Sequence, residues 1–114
     1  MLLSTDVWVG ALIRRAQLGG AFATVARKGD ARAGAVLIKL YNPLTRRTRL
    51  YAQAVRAGGE TVWMAPIAAT DERELDAYVQ RQAGYDPDLW VVEIEDREGR
   101  HFLTEPVEGG EAEP

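Results

Sequence analysis

Residues 86–96 read DPDLWVVEIED and carry five carboxylates, so this stretch is the first candidate for a site. If residues 89–95 form a strand, side chains alternate between its faces, and Glu93 and Glu95 share one face about 7 Å apart. Together with Asp86 and Asp88 they could hold a hard cation or a basic substrate, or act as an acid and base pair. The simpler alternative is a turn that leads into a buried strand with one solvated acidic face.

Nucleophilic and transition-metal chemistry have few candidate residues. Ser4 is the only serine, His101 is the only histidine, and there is no cysteine. Ser4 has the position of a helix cap and His101 lies in a predicted hairpin, so a Ser-His-Asp triad is not expected. One histidine without cysteine does not make a zinc site, and no phosphate-loop or zinc-protease motif occurs. The sequence predicts no catalytic residue, no metal and no cofactor, and it favours a protein that is not an enzyme.

Charged residues are divided unevenly along a chain whose formal net charge is only −3. Residues 1–56 carry ten Lys and Arg against two acids, and residues 57–114 carry four against fifteen. Such halves can neutralise one another when the chain folds, which is the simplest interpretation. They can also provide a basic face for phosphate or complementary faces for a second copy of the chain.

Two predicted turns are surrounded by basic residues, which are Arg27, Lys28 and Arg32 at the first and Arg46, Arg47 and Arg49 at the second. In a meander these turns lie at opposite ends of strand 34–41, about 25 Å apart at about 3.3 Å per residue. They do not form one patch, and no aromatic residues are interleaved with them as in a platform for single strands. The pattern argues against nucleic-acid binding, although each turn could contact a phosphate.

The candidate residues are positioned by a predicted α+β fold. Residues 5–18 are predicted to be helical, because an apolar stripe with helical spacing follows polar residues 4–6. Two β-prone runs, 21–26 and 34–41, flank a Gly-Asp turn and predict a hairpin. Strands at about 48–55 and 60–66 continue the meander. Thr70 is predicted to cap a second helix, whose buried side is formed by Leu75, Tyr78, Val79 and Ala83.

The end of the fold is predicted to be a second hairpin, in which strand 89–95 turns at residues 96–99 and pairs with residues 101–103. The order of helix, four strands, helix and hairpin predicts a largely antiparallel sheet with both helices packed on one face. Residues 1–104 are predicted to form a single domain. Residues 105–114, EPVEGGEAEP, are predicted to be a disordered acidic tail.

A sheet with helices on one face leaves its other face open. Trp63 is predicted to face away from Val62 and Met64. Further apolar candidates for the open face are Leu37, Tyr41, Tyr51 and Val55. Because an open apolar face is typical of an interface, we predict a homodimer that forms through the sheet at Leu37, Tyr41, Tyr51 and Trp63.

Compartment and membrane contact follow from composition. No apolar run approaches the roughly 18 residues needed to span a bilayer, and the start of the chain lacks the charge order of a signal peptide. A chain without cysteine has no disulfide framework and suits a reducing compartment. We predict a cytoplasmic protein without a membrane segment.

Three stretches, WVGALIRR, ARKGDARAGAVLIKL and DPDLWVVEIED, resemble a family of small, mostly alphaproteobacterial proteins known only as a domain of unknown function. The resemblance spans nearly the whole chain, to about residue 104. It implies a bacterial, cytoplasmic, stand-alone domain. The family has no assigned activity or ligand, so the resemblance implies no role for any residue.

Taken together, these patterns favour a non-enzymatic module that acts as a homodimer or binds another protein. The alternative is a small ligand- or metal-binding protein or an enzyme that uses Asp86, Asp88, Glu93 and Glu95. A second alternative is a nucleic-acid-associated protein that uses the basic turns.

Overall fold

The computed structural model describes residues 3–68 and 70–108, which form two α-helices and six β-strands. In chain order these are α1 (Thr5–Leu18), β1 (Phe22–Arg27), β2 (Val36–Asn42), β3 (Arg47–Val55), β4 (Thr61–Met64), α2 (Glu72–Tyr85), β5 (Trp90–Glu95) and β6 (Val107–Glu108). The predicted α+β class is confirmed, and α1 has its predicted bounds. Within the described ranges, no helix is long and apolar enough to cross a membrane.

All six strands belong to one mixed sheet in the order β1-β5-β2-β3-β4-β6. β5 lies between β1 and β2, antiparallel to β1 and parallel to β2. The meander is confirmed for β2, β3 and β4, which pair antiparallel, and β6 adds parallel to β4. The predicted hairpin of β1 and β2 is wrong, because β5 occupies the place between them and pairs with both.

The two helices pack on opposite faces of the sheet. Ile38 and Leu40 of β2 share a core cluster with Leu12 of α1, whereas Leu37, which alternates with them, packs with Leu75 of α2. The prediction that both helices share one face is therefore wrong. The cause is that β2 is largely apolar on both sides, with six of its seven residues buried, and two largely apolar faces each need a cover.

α2 begins next to Asp71 rather than at the predicted cap, Thr70. The Asp71 carboxylate accepts the Arg73 backbone N–H at 3.3 Å, which satisfies one of the free amides of the first helical turn. The carbonyl of Thr70 accepts the backbone N–H of Thr48 at 3.2 Å, so this residue fastens the start of α2 to β3. The resulting position of α2 decides which side chains lie over β2 and β5.

Residues 101–103 do not form the predicted hairpin with β5. Both sides of β5 are already paired, so its backbone has no free edge to offer. Instead the Phe102 carbonyl accepts two hydrogen bonds from the Arg15 guanidinium of α1, at 3.0 and 2.8 Å. The segment therefore passes along α1 and places the Phe102 ring against the core.

The first four residues of the predicted disordered tail, 105–108, belong to the fold. Val107 and Glu108 pair with β4. The Glu105 carboxylate accepts the indole N–H groups of Trp8 and Trp63, each at 3.1 Å. The prediction of disorder is therefore wrong for residues 105–108, because these contacts attach them to α1 and β4. Residues 109–114, the rest of the predicted tail, lie outside the described residues.

Candidate functional site

The four predicted site carboxylates lie in two different places. Asp86 and Asp88 are in the turn before β5, where the Asp86 carboxylate accepts the Asp88 backbone N–H at 3.0 Å, as expected of an aspartate before proline. The Asp88 carbonyl accepts the Asp30 backbone N–H at 3.0 Å. This part of the acidic stretch holds the β1–β2 connection against the start of β5, which is a structural role.

The turn is closely packed against that connection. A Cβ atom added at Gly29 or Gly34 would overlap the carbonyl oxygen of Asp88, so both positions need glycine for the backbone to approach. Trp90 donates its indole N–H to the Asp30 carbonyl at 2.7 Å. Backbone groups therefore occupy the space around the Asp88 carbonyl.

Glu93 and Glu95 share one face of β5 and lie between two strands. Glu93 is level with Thr24 of β1 and Lys39 of β2. Glu95 is level with Phe22 of β1 and Tyr41 of β2. The period of two in β5 thus brings these two carboxylates together, and the mixed sheet supplies their neighbours from β1 and β2.

Lys39 is the central charged residue of this face, and it was not among the predicted site residues. Its Nζ lies 2.8 Å from Glu72 Oε2 and 2.8 Å from Asp76 Oδ1 of α2, and 3.8 Å from Glu93 Oε2. The residue is 7% exposed. Burial acts to lower the Lys39 pKa, but the hydrogen bonds to Asp76 and Glu72 outweigh burial and raise that pKa above its ordinary value.

The raised pKa keeps Lys39 positively charged at neutral pH. A lysine that serves as a nucleophile or a base must lose its proton near neutral pH, which the two carboxylates of α2 oppose here. The ammonium also takes the position between carboxylates that a cation would occupy. Within residues 3–68 and 70–108, no group of three His, Cys, Asp or Glu side chains could hold a metal ion. Lys39 is therefore held as a fixed positive charge on this face of the sheet.

Beside Lys39 is a groove of about 340 Å³, which we call the acidic groove. Three strands and α2 contribute its lining, which consists of Phe22, Thr24, Lys39, Tyr41, Glu72, Glu93, Ile94 and Glu95. Three of these residues are carboxylates, and the one lysine is already paired, so the groove favours a positively charged group. The Phe22 ring is 73% exposed and gives the groove an aromatic wall at its outer side.

β1 borders the acidic groove and is also an outer strand of the sheet. It pairs with β5 on one side, and no other strand of the described residues pairs with its second side. Phe22 and Val25 are 73% and 37% exposed. The register is regular from Phe22 to Val25 and shifts before Arg27, the only charged residue of the strand. Residues 22–25 therefore form an open, uncharged strand edge.

The opposite edge of the sheet is protected. β6 has two residues, it follows Pro106, and its Glu108 forms an ion pair with Arg56. Short length, proline and charge are the usual means by which a sheet edge is kept from pairing with other chains. Residues 22–25 of β1 carry neither proline nor charge, which distinguishes β1 as the edge that another strand could join.

The four residues predicted at a dimer interface do not form one open face. Tyr51 and Trp63 are 1% and 0% exposed in the core beneath α1, and Leu37 is 5% exposed beneath α2. Tyr41 is partly exposed and lines the acidic groove. Because α2 covers the second face, the open apolar face on which the predicted interface depended is absent from the described residues.

The serine and the histidine have structural contacts. Ser4 donates its hydroxyl to the Asp6 carboxylate at 2.7 Å at the start of α1. His101 accepts the Leu103 backbone N–H at Nδ1, 2.9 Å away, and its ring meets the edge of Tyr51 with a centroid distance of 5.4 Å. Neither residue lines the acidic groove.

The first basic group flanks a connection that passes the start of β5 rather than a hairpin turn. Arg27 Nη1 donates to the carbonyls of Pro87 and Leu89 at 3.2 and 2.5 Å. This guanidinium therefore helps to hold the turn before β5. Because these bonds occupy the Arg27 guanidinium, one of the residues expected to contact phosphate is already engaged, which weakens the nucleic-acid alternative.

Comparisons with known proteins find close relatives without an assigned activity. A family model described as a protein of unknown function (DUF1491) matches residues 3–104. The crystal structure of a DUF1491 family protein from Caulobacter crescentus CB15 has a TM-score of 0.92 and 67% identity, covering 94% of this chain and 100% of that one. The solution structure of a protein from A. tumefaciens has a TM-score of 0.78 and 34% identity, covering 91% and 94%. No curated protein matches the chain.

Proposed function

The chain belongs to the DUF1491 family, whose function is unknown, and we propose that it binds another polypeptide rather than catalysing a reaction. The observation that carries this proposal is the open edge of β1 at residues 22–25. A strand from another chain can add to such an edge, where main-chain hydrogen bonds provide affinity and side-chain positions provide specificity. We place this module in the cytoplasm, because a chain without cysteine suits a reducing compartment.

Lys39 supports binding over catalysis. Its ammonium is held by two carboxylates and its pKa is raised, so it offers a fixed charge rather than a reactive amine. A fixed charge network beside an open strand is suited to recognition, in which the groups keep their protonation states while a partner comes and goes.

A homodimer joined through β1 is the second candidate. Two copies of β1 could pair about a two-fold axis and continue one sheet across both chains. This proposal keeps the predicted homodimer but moves its interface from the sheet face to the sheet edge. The exposed side chains of Phe22 and Val25 would then be shielded by the second copy.

The test is an NMR titration of the ¹⁵N-labelled protein with a capped, uncharged strand peptide of sequence QVQVQVQ. We expect shift changes centred on the amides of residues 22–25. Val25→Lys should abolish them, because a charged side chain on a strand edge blocks pairing. Val55→Lys is the matched control, since Val55 is 71% exposed on β3 and pairs with Thr61 of β4.

Two further measurements complete the test. Phe22→Lys gives a second edge variant at a side chain that is 73% exposed, in case Val25→Lys does not fold. The native mass of the unmodified protein, measured with and without each edge substitution, identifies a homodimer if the dimer mass is lost in the edge variants alone. The proposed function would be overturned if the peptide shifts no amide of residues 22–25 and, in addition, no edge-dependent dimer is found.

A further inference from the structure

We infer that the strand that joins β1 is a basic segment of another protein, with Lys or Arg at alternate positions that face the acidic groove. This inference rests on the proposed function and adds the chemistry of the partner. Its starting point is the position of the groove, which borders β1 and carries the carboxylates of Glu72, Glu93 and Glu95.

The spacing of the carboxylates matches that of an added strand. Glu93 and Glu95 are two residues apart on one face of β5, a separation of about 7 Å. Side chains on one face of any strand repeat at the same distance. Two basic residues separated by one residue in the added strand can therefore meet Glu93 and Glu95 in register.

The distance across β1 selects long side chains. Neighbouring strands are about 4.8 Å apart, so a strand added to β1 runs about 10 Å from β5. Between them lie Thr24, level with Glu93, and Phe22, level with Glu95. A Lys or Arg side chain can extend over the short Thr24 or across the exposed Phe22 ring, where a cation also gains from the aromatic face.

The carboxylates of the acidic groove can accept a further cation, which a partner would supply. The Nζ of Lys39 makes its short contacts with the carboxylates of Glu72 and Asp76 and lies 3.8 Å from Glu93 Oε2. In the described part of the chain, no Lys or Arg forms an ion pair with Glu95. A partner that brings basic side chains to this face complements the charge, whereas an acidic partner is repelled.

A second copy of the chain does not meet this requirement. The side chains that its β1 would present on the groove side include Phe22 and Thr24, which are uncharged. Its Arg27 guanidinium is bound to the carbonyls of Pro87 and Leu89. The charge complementarity therefore favours a basic segment of a different protein over self-association.

The experiment compares three capped peptides, KVKVKVK, QVQVQVQ and EVEVEVE, in NMR titrations at low and high salt. We expect the lysine peptide to bind about tenfold more tightly than the glutamate peptide at low salt, as two exposed ion pairs allow. The preference should shrink in about 0.5 M salt, because exposed charges are screened. Glu93→Gln/Glu95→Gln should remove most of the preference. The control is Glu74→Gln/Glu98→Gln, which changes two exposed glutamates elsewhere.

The outcomes separate this inference from the proposed function. Equal binding of all three peptides at residues 22–25 would overturn the basic partner and leave strand addition in place. A preference for lysine that persists in Glu93→Gln/Glu95→Gln would also overturn it, because the groove would not be its source. Binding of none of the peptides, together with an edge-dependent dimer, would assign the edge to a second copy. Thermal unfolding of each variant shows whether it is folded.

Discussion

The indole rings of Trp8 and Trp63 stack with their centroids 5.3 Å apart and their planes at 22°. Trp8 belongs to α1 and Trp63 to β4, and both donate their ring N–H to the carboxylate of Glu105. One side chain therefore fastens the C-terminal segment to a helix and to the sheet at the same point.

Replacing Glu105 should weaken the fold. In Glu105→Leu two indole N–H groups lose their acceptor, and we expect the free energy of unfolding to fall by about 2–3 kcal/mol. Glu105→Gln keeps one acceptor oxygen, so its loss should be smaller, about 1 kcal/mol. Urea unfolding followed by tryptophan fluorescence measures both, with exposed Glu74→Gln as the control. A loss below about 0.5 kcal/mol in Glu105→Leu would contradict the role of this carboxylate.

Removing the Lys39 charge should destabilise the protein at neutral pH. Lys39→Met keeps the apolar stem but leaves Glu72, Asp76 and Glu93 facing one another, at an expected cost of about 1–3 kcal/mol. The folded-state pKa is raised, so the contribution is complete below the ordinary value of 10.5 and is lost as the pH rises through the folded-state pKa.

The check is the difference in unfolding free energy between the wild type and Lys39→Met at neutral and strongly alkaline pH. We expect the difference to be constant up to the ordinary lysine pKa and to shrink above it. Lys28→Met, at an exposed lysine, is the matched control. A difference that grows with alkaline pH would show that the sign of the pKa shift is wrong.

Asp96 should contribute stability that disappears in acid. Its carboxylate, 4% exposed, accepts the Arg100 backbone N–H at 2.8 Å and the guanidinium Nε and Nη2 at 2.9 Å. The Arg100 side-chain hydrogen bonds, opposed by burial, lower the Asp96 pKa below its ordinary value of 3.8. The contribution is therefore complete above that value and is lost as the pH falls through the folded-state pKa.

We expect Asp96→Asn to lose about 2 kcal/mol at neutral pH, and this difference should shrink below the ordinary carboxyl pKa. Urea unfolding at pH 7 and in strong acid measures it. Asp88→Asn is the control, because the structural contacts of Asp88 are made by its backbone. An equal loss at both pH values would contradict the lowered Asp96 pKa.

Two glycine substitutions should have opposite effects. Gly34→Ala places a Cβ against the Asp88 carbonyl and should cost about 2 kcal/mol or more, because backbone must move. Gly10→Ala places a Cβ in open space in the middle of α1 and should stabilise by about 0.5–1 kcal/mol. Thermal unfolding measures both shifts, and a neutral Gly34→Ala would show that the turn before β5 can relax.

Local patterns predicted most of the elements but not which strands are neighbours. The apolar stripe of α1 and the alternation of faces in β5 depend only on residues that are close together in the chain. The pairing of β2 with β5 depends on residues far apart in the chain, and β2 is largely apolar on both sides, so its sequence does not select one neighbouring strand. That property of β2 was also the sign that the sheet needed a helix on each face.

For the candidate site, the sequence predicted that Glu93 and Glu95 share a face, because this depends only on a period of two. The groove also needs Phe22, Lys39 and Glu72, which come from β1, β2 and α2. Lys39 had a recognisable signal, since a lysine between Ile38 and Leu40 in an apolar strand requires a partner for its charge. Composition predicted disorder at Glu105 because two specific hydrogen bonds leave no trace in composition.

The place of β5 between β1 and β2 has a consequence for the order of events during synthesis. β2 ends 48 residues and β1 ends 63 residues before β5 begins, so a growing chain lacks the strand that fills the slot between them. The parallel pairing that fills this slot is non-local, which slows folding relative to hairpins. We expect chains that end before β5 to leave the edges of β1 and β2 unpaired and to aggregate, whereas chains that include β5 can complete the sheet.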